Sequence, residues 1–542
     1  MHRKTILSIT IFSLLAIIYP FTFCSASIAT VILTEKVKTE NGWIKGVDVN
    51  GLHTYFGIPY AAPPVGALRW RPPQKAAAWK GERDATNFGP SCPQEKSSTE
   101  DVGTISEDCL YLNIWSPAKL VNEGLPVMVW IHGGGFMQGS GSVAEYDCQN
   151  LARMGVVGIT INYRLGALGF LAHPLLSLES QQKVSGNYGL LDQIAALQWI
   201  KDNIAAFGGN PENVTIFGES AGAVSVTMHM LSPLSKDLFQ GAIAESGNPF
   251  TTLRALETCA PTTLKEAEEQ GERFAQALGC DGAEDVLAAM RAKTPEELLA
   301  ATNMRLDSLG IRSRDFQFTP FYDGYVLPVS ARIINHVPLI IGNNASEGNL
   351  FHNSVAMPEY KKYIEGLCGP YAPQMLERFS ANNFGSLDKA YYRFLTVYAF
   401  AEPARMFAGK NSADSYLFLF SRVPDTETGK TLGACHGIEL PYVFGYVDPS
   451  QGYDRTDLSL SENIMKYWTN FARTKDPNGE GLVLWPKYDA ISDKAIVFGD
   501  TINAEADLDT ADRTLIRKTL DALLPRCLDA CPEPVEGPFP VL

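Results

Sequence analysis

Residues Asn213 to Val226 read NVTIFGESAGAVSV. An apolar, β-branched run stops at Gly218-Glu219-Ser220-Ala221-Gly222 and resumes in small and apolar residues. The pattern predicts a strand, a tight turn and a helix. The glycines remove side chains where strand and helix must approach closely. The serine between them is then held in a strained bend that lifts its hydroxyl clear of the sheet. A serine that only caps the helix would occupy the same place. Context separates the two readings, because this is the chain's single G-x-S-x-G and it has the strand–turn–helix setting that nucleophilic chemistry needs.

The surrounding sequence predicts the scaffold. Val127–Ile131 and Val156–Asn162 read as buried strands, the first ending in glycines. Between them and the serine, apolar residues at 190, 191, 194, 197 and 200 follow helical spacing. Gly208-Gly209-Asn210-Pro211 then breaks the chain before the strand NVTIF. Strand, helix, strand is the signature of a largely parallel sheet, so the fold class is α/β. VPLIIGNN and YLFLFSR read as further strands. Residues 262–315, rich in Ala, Glu and Lys, read as helical and as an insertion over one end of the sheet.

A serine hydroxyl needs a neighbouring base, and the base needs a carboxylate to orient it. On a sheet of this kind the chain order is serine, acid, histidine. The histidines well beyond Ser220 are His336, His352 and His436. His336 lies at the mouth of a strand in NHVPLII and reads as structural. His352 would hang from the same loop as the acid. His436, in GACHGIELPYVFG, opens a loop from another part of the chain and is the preferred base. Glu347, just past the strand in VPLIIGNNASEGNLF, is the preferred acid. A solvated loop charge is its bland alternative, and Asp323, in an Asp-Gly turn before the strand, is its rival. IHGGGF, Ile131–Phe136, places three glycines at a second strand end. Backbone N–H groups of Gly134 and Gly135, with that of Ala221, are assigned to hold the oxyanion of an attacked ester. This chemistry requires no metal and no organic cofactor.

The chain's 542 residues are 45% hydrophobic, which is a globular profile. A formal net charge of −15 with no basic stripe repels a phosphate backbone and argues against nucleic-acid binding. Met1-His2-Arg3-Lys4, the apolar run Ile6–Ile18 and the small residues of CSASIA predict a signal peptide over 1–26, hence export to a periplasm or secretion. An uncleaved anchor and a lipoprotein through Cys24 are the alternatives; the apolar run is short for a membrane span, and Phe23 is a bulky neighbour for Cys24. Ten cysteines suit an oxidising compartment, and no spacing suits zinc.

With these motifs in place, the chain resembles the type-B carboxylesterase/lipase family, the cholinesterase-like branch of the α/β-hydrolases. TYFGIPYAAPPVGALRWRPPQ, EDCLYLNIWSP, NYRLGALGFL and the block GNYGLLDQIAALQWIKDNIAAFGGNPENVTIFGESAG carry the likeness over nearly the whole mature chain. The resemblance implies an α/β-hydrolase fold, with a large, mostly parallel twisted sheet, flanking helices and helical insertions over the active site. One catalytic domain would span 27–530, with a loose Pro-rich tail at 531–542. It implies an exported carboxylesterase acting on small-molecule esters through Ser220, Glu347 and His436, with Glu219 and Ser246 lining the site behind them. It also implies a disulfide between Cys92 and Cys109. Lipase, amide or carbamate hydrolysis, or a non-catalytic adhesion role on the same fold, are the alternatives. The segment between Cys92 and Cys109 has no aromatic residue, which argues against choline-ester specificity. Cys259 with Cys280 and Cys368 with Cys435 are the guesses for further bridges.

Overall fold

The computed structural model describes residues 34–95, 101–250, 262–302, 304–306, 312–314, 316–329, 332–351 and 355–523. The expected signal peptide 1–26, the tail 531–542, Cys24, Cys259, His352, Cys527 and Cys531 lie outside the described residues.

An 11-stranded sheet organises the chain. In chain order its strands are β1 (Val47–Val49), β2 (Leu52–Pro59), β3 (Tyr111–Ser116), β4 (Leu125–Ile131), β5 (Val157–Ile161), β6 (Gly209–Glu219), β7 (Gly241–Glu245), β8 (Leu339–Asn344), β9 (Ser415–Phe420), β10 (Ala495–Phe498) and β11 (Ile502–Glu505). Their spatial order is β11-β10-β9-β8-β7-β6-β4-β5-β3-β2-β1. The strands from β5 to β10 run parallel; antiparallel strands close both edges. Apolar side chains cover both faces of β4, β5, β7 and β8, as central parallel strands require.

Three expectations change in detail. Pro211 does not precede β6 but lies inside it. The pairing of β4 with β6 jumps from Leu125↔Gly209 to Val127↔Val214, and this irregularity absorbs a residue with no N–H to donate. Tyr188–Asn203 is a helix, α1, but it is buried on nearly every side rather than along one stripe. Its polar residues are paired inside: Asp192 with Arg164 at 2.7 Å, and Gln193 with Ser225 and His229. The segment from 262 begins with helices Leu264–Ala277, Val286–Arg291 and Pro295–Thr302, then turns into an antiparallel pair of short strands, Met304–Leu306 and Arg312–Arg314.

Candidate active site

The turn after β6 has the geometry that the glycines permit. Ser220 adopts φ 55° and ψ −121°, a conformation that ordinary side chains avoid. Its N–H donates to the Glu245 carbonyl at 2.9 Å, which fastens the bend to β7. Helix α2, Ala221–Leu231, leaves directly from it. A Cβ on Gly222 would stand 1.9 Å from the Ile131 carbonyl oxygen, and one on Gly218 would stand 2.6 Å from the same atom. Only glycine lets α2 leave β6 this close to β4. Glu219 and Ala221 are buried and Ser220 is partly exposed, so Ser220 is the accessible residue of the elbow.

β4 neighbours β6, and the IHGGGF segment therefore emerges beside the serine. A Cβ on Gly133 would lie 3.2 Å from Ser220 Cβ. Gly134 accepts hydrogen bonds from the N–H groups of Met137 and Gln138, at 3.1 and 3.2 Å, so the loop turns back on itself. The His132 carbonyl accepts from the Tyr163 hydroxyl at 2.9 Å, and the two rings stack 4.4 Å apart. Ala221 opens α2, where the first N–H groups have no partner within the helix.

Glu347 follows β8 and His436 lies in the connection beyond β9. The structure brings them together: His436 Nδ1 and Glu347 Oε2 are 2.6 Å apart. Glu347 is fully buried, and its other oxygen accepts from Ser246 Oγ and from the Asn344 N–H, each at 2.6 Å. Ser246 stands just past β7, between the strands that carry Ser220 and Glu347. His436 Nε2 lies 3.1 Å from Glu219 Oε1 and, among the described residues, makes no hydrogen bond in this arrangement, with Ser220 Oγ or with any other group. Glu219 thus touches the imidazole itself, closer than a lining role suggests. The Phe351 and Phe400 rings flank His436, each with its centroid 5.3 Å away. Phe400 belongs to a wide helical turn, Thr396–Ala401, of the kind that recurs at functional sites.

The electrostatics follow from burial and neighbouring charge. Burial pushes the His436 pKa down, but the carboxylates of Glu219 and Glu347 outweigh it and lift the value to about 9. Burial, reinforced by the Glu219 charge and opposed by the Trp468 indole, raises Glu245 to about 8. Glu439 rises well above the usual carboxyl range for the same first reason, with Glu219, Glu245 and Glu347 adding to it. It accepts from the Asn344 side chain. Sequence reasoning did not reach Glu245 or Glu439. Their only signal was position: Glu245 precedes Ser246, and Glu439 follows His436 by three residues.

The rejected candidates sit elsewhere. Asp323 is buried and accepts the N–H groups of Tyr325, Val326 and Leu327, so it builds the turn the sequence suggested. His336 is exposed and pairs with Asn411 and the Ser412 N–H. Cys92 and Cys109 form a disulfide. The guessed bridges are corrected: Cys280 and Cys435 are free, buried thiols, as is Cys148. The His436 connection is held instead by hydrogen bonds, from Asn344 to the Cys435 carbonyl (2.8 Å), from Ser346 to Ala434 (2.9 Å) and from Asn349 to Leu432 (2.8 Å).

The model of the "Carboxylesterase family" matches residues 33–514. The chain belongs to the carboxylesterase family. Among its relatives, this carboxylesterase is 36% identical to the fumonisin B1 esterase of Sphingopyxis macrogoltabida, over 88% of this chain and 89% of that protein. It is 35% identical to the para-nitrobenzyl esterase of Bacillus subtilis, over 88% and 97%. A solved PNB esterase structure superposes with a TM-score of 0.77 at 34% identity, covering 89% of this chain and 99% of that one. The fold is accordingly the α/β-hydrolase fold, and the enzyme is a serine hydrolase of carboxylic esters.

Proposed function

We propose that this carboxylesterase cleaves small-molecule esters through an acyl-enzyme on Ser220, with His436 as base and Glu347 as the acid that orients it. The single observation that carries the reading is the 2.6 Å contact between Glu347 and His436, beside a serine strained outward at the end of β6. A turn of the imidazole from Glu219 toward Ser220 completes the relay; hydrogen bonds of this kind tighten when substrate binds. Ser220 Oγ attacks the ester carbonyl while Nε2 takes its proton. The carbonyl oxygen becomes negative and is held by the N–H groups of Gly134, Gly135 and Ala221. The tetrahedral intermediate collapses, Nε2 gives the proton to the departing alcohol, and water then releases the acid by the same steps in reverse order of roles. Glu347 fixes the Nδ1–H tautomer and stabilises the imidazolium; Ser246 and the Asn344 N–H hold Glu347 in place.

Export belongs to the same proposal. The basic start, the apolar run to Ile18 and the small residues after it support removal of residues 1–26. The disulfide suits an oxidising compartment, and no helix among the described residues is long and apolar enough to cross a membrane. The test of the chemistry is labelling with a fluorophosphonate, read by intact mass and peptide mapping. The expected adduct falls on Ser220, and Ser220→Ala loses both adduct and turnover, by about 10⁴-fold or more. A Ser220→Ala protein that hydrolyses nitrophenyl esters at the parent rate would refute the reading. Anilides, carbamates and long-chain glycerides in the same panel rank ester cleavage against the other bonds.

A further inference from the structure

Gln94 lies two residues past Cys92, inside the segment closed by the Cys92–Cys109 disulfide, and it is buried. Its amide grips one residue twice. Oε1 accepts from the Gly139 N–H at 2.9 Å, and Nε2 donates to the Gly139 carbonyl at 2.9 Å. Nε2 also donates to the Cys92 carbonyl at 3.1 Å, which fixes the side chain against its own loop. A glutamine amide is one of the few side chains that can satisfy both backbone groups of one residue, because it offers a donor and an acceptor in one plane.

Gly139 is the far end of the turn that begins at Gly133. Its φ of +109° lies where side chains are strained, and a Cβ there would stand 2.4 Å from His132 Nδ1. The next residue back, Gln138, touches Gly134 directly: its N–H donates to the Gly134 carbonyl, and its own carbonyl oxygen would lie 2.2 Å from a Gly134 Cβ. Beyond Gly139 the chain is held again. Ser140 Oγ lies 2.7 Å from Ser91 Oγ, and Asn162 accepts from the Gly141 N–H at 2.8 Å. The disulfide segment therefore grasps one end of the oxyanion loop, and the grip passes to Gly134 through a single residue.

We propose that Gln94 is a positioning residue of the oxyanion hole, setting the direction of the Gly134 and Gly135 N–H groups through Gly139 without meeting the substrate. The inference rests on the reading of Ser220 as nucleophile and of these glycines as donors. A donor turned away from the oxyanion stabilises the transition state less while leaving ground-state binding nearly unchanged, and displacement by about 1 Å costs on the order of 10²-fold. The role also gives the Cys92–Cys109 disulfide a bearing on turnover, since it holds the segment from which Gln94 reaches.

The test compares the full-length enzyme with Gln94→Ala and the near-isosteric Gln94→Met, each rate expressed per active site titrated with a fluorophosphonate. The expected result on a nitrophenyl ester is a fall in kcat of about 10- to 100-fold, with KM within about twofold. The Ki of a trifluoromethyl ketone, whose adduct places an oxyanion in the same hole, weakens by the factor lost in kcat/KM. A purely structural glutamine lowers the melting temperature and the titratable fraction but leaves the per-site kcat and the ketone Ki at parent values. That outcome, or a change confined to KM, overturns the proposal. Failure of the underlying reading is separate: Ser220→Ala then keeps its activity and the parent protein takes up no label.

Discussion

At His436 two carboxylates meet one imidazole, and their placement sets the pH behaviour of the enzyme. Glu347 meets Nδ1, whereas Glu219 lies 3.1 Å from Nε2, the nitrogen that takes the serine proton in the proposed mechanism. Both favour imidazolium, so the base is neutral only toward alkaline pH. The rising limb of kcat/KM is expected near the His436 value of about 9. Glu219→Gln removes one negative charge, so its limb moves toward acid; a pH–rate profile of the two proteins checks the direction. Stability carries the opposite slope. His436 and Glu245 both hold protons more tightly folded than unfolded, His436 between 6.5 and about 9 and Glu245 between 4.5 and about 8. Their contributions are complete below the unfolded values and fade as pH rises through the folded ones. The melting temperature should therefore fall from pH 6.5 to 9, and Glu245→Gln, which keeps an acceptor for the Trp468 indole, should flatten that fall in a calorimetric series.

At the level of elements, the site depends on two backbone features, the elbow and the His436 connection. In Gly222→Ala the added methyl meets the Ile131 carbonyl, a backbone atom at the end of a central strand that cannot move aside. The cost should be at least ~1–3 kcal/mol, with loss of soluble protein or a lowered denaturation midpoint as the readout. The elbow was legible in the sequence because its requirement is local: small residues are the only ones that fit between β4, β6 and α2, and they appear as a pentapeptide. The His436 connection was half legible. The histidine stood out by chain order, but the choice of hydrogen bonds over a Cys368–Cys435 bridge depends on where Asn344, Ser346 and Asn349 arrive, which no spacing encodes. Alkylation under denaturing, non-reducing conditions should label Cys148, Cys280 and Cys435 and spare Cys92 and Cys109, as read by peptide mass.

Across the whole molecule, the sheet order gathers the site. Ser220, Ser246 and Glu347 leave the ends of three adjacent parallel strands, β6, β7 and β8, and β4 on the other side of β6 brings the glycine loop, so the groups converge at the carboxyl ends of the central strands. A second assembly pins the chain's later part to this core. Arg513 in the helix Thr510–Leu523 pairs with Glu402 and Asp493, Arg405 with Asp493 at 3.1 Å, and Arg517 with Glu402. Glu402 opens the helix that follows the Phe400 turn. Arg513→Ala leaves two buried carboxylates short of a partner, and the expected loss is about 3 kcal/mol in a denaturant melt. Activity at 25 °C should persist, because the network does not touch Ser220 or His436.

The amino-acid sequence alone determined the strand–turn–helix around Ser220, the glycine loop at Ile131–Phe136 and the α/β class. Each is written within a dozen residues, or in the sign of a periodicity, because backbone sterics and burial act over that range. Only the tertiary structure decided that Glu219 stands against His436, that Gln94 holds Gly139, that Cys148, Cys280 and Cys435 stay unpaired and that the buried carboxyls of Glu245 and Glu439 interact. Those pairings join segments dozens to hundreds of residues apart. Their energies depend on desolvation and on distances of a few ångströms, quantities that exist only once the sheet has closed around them.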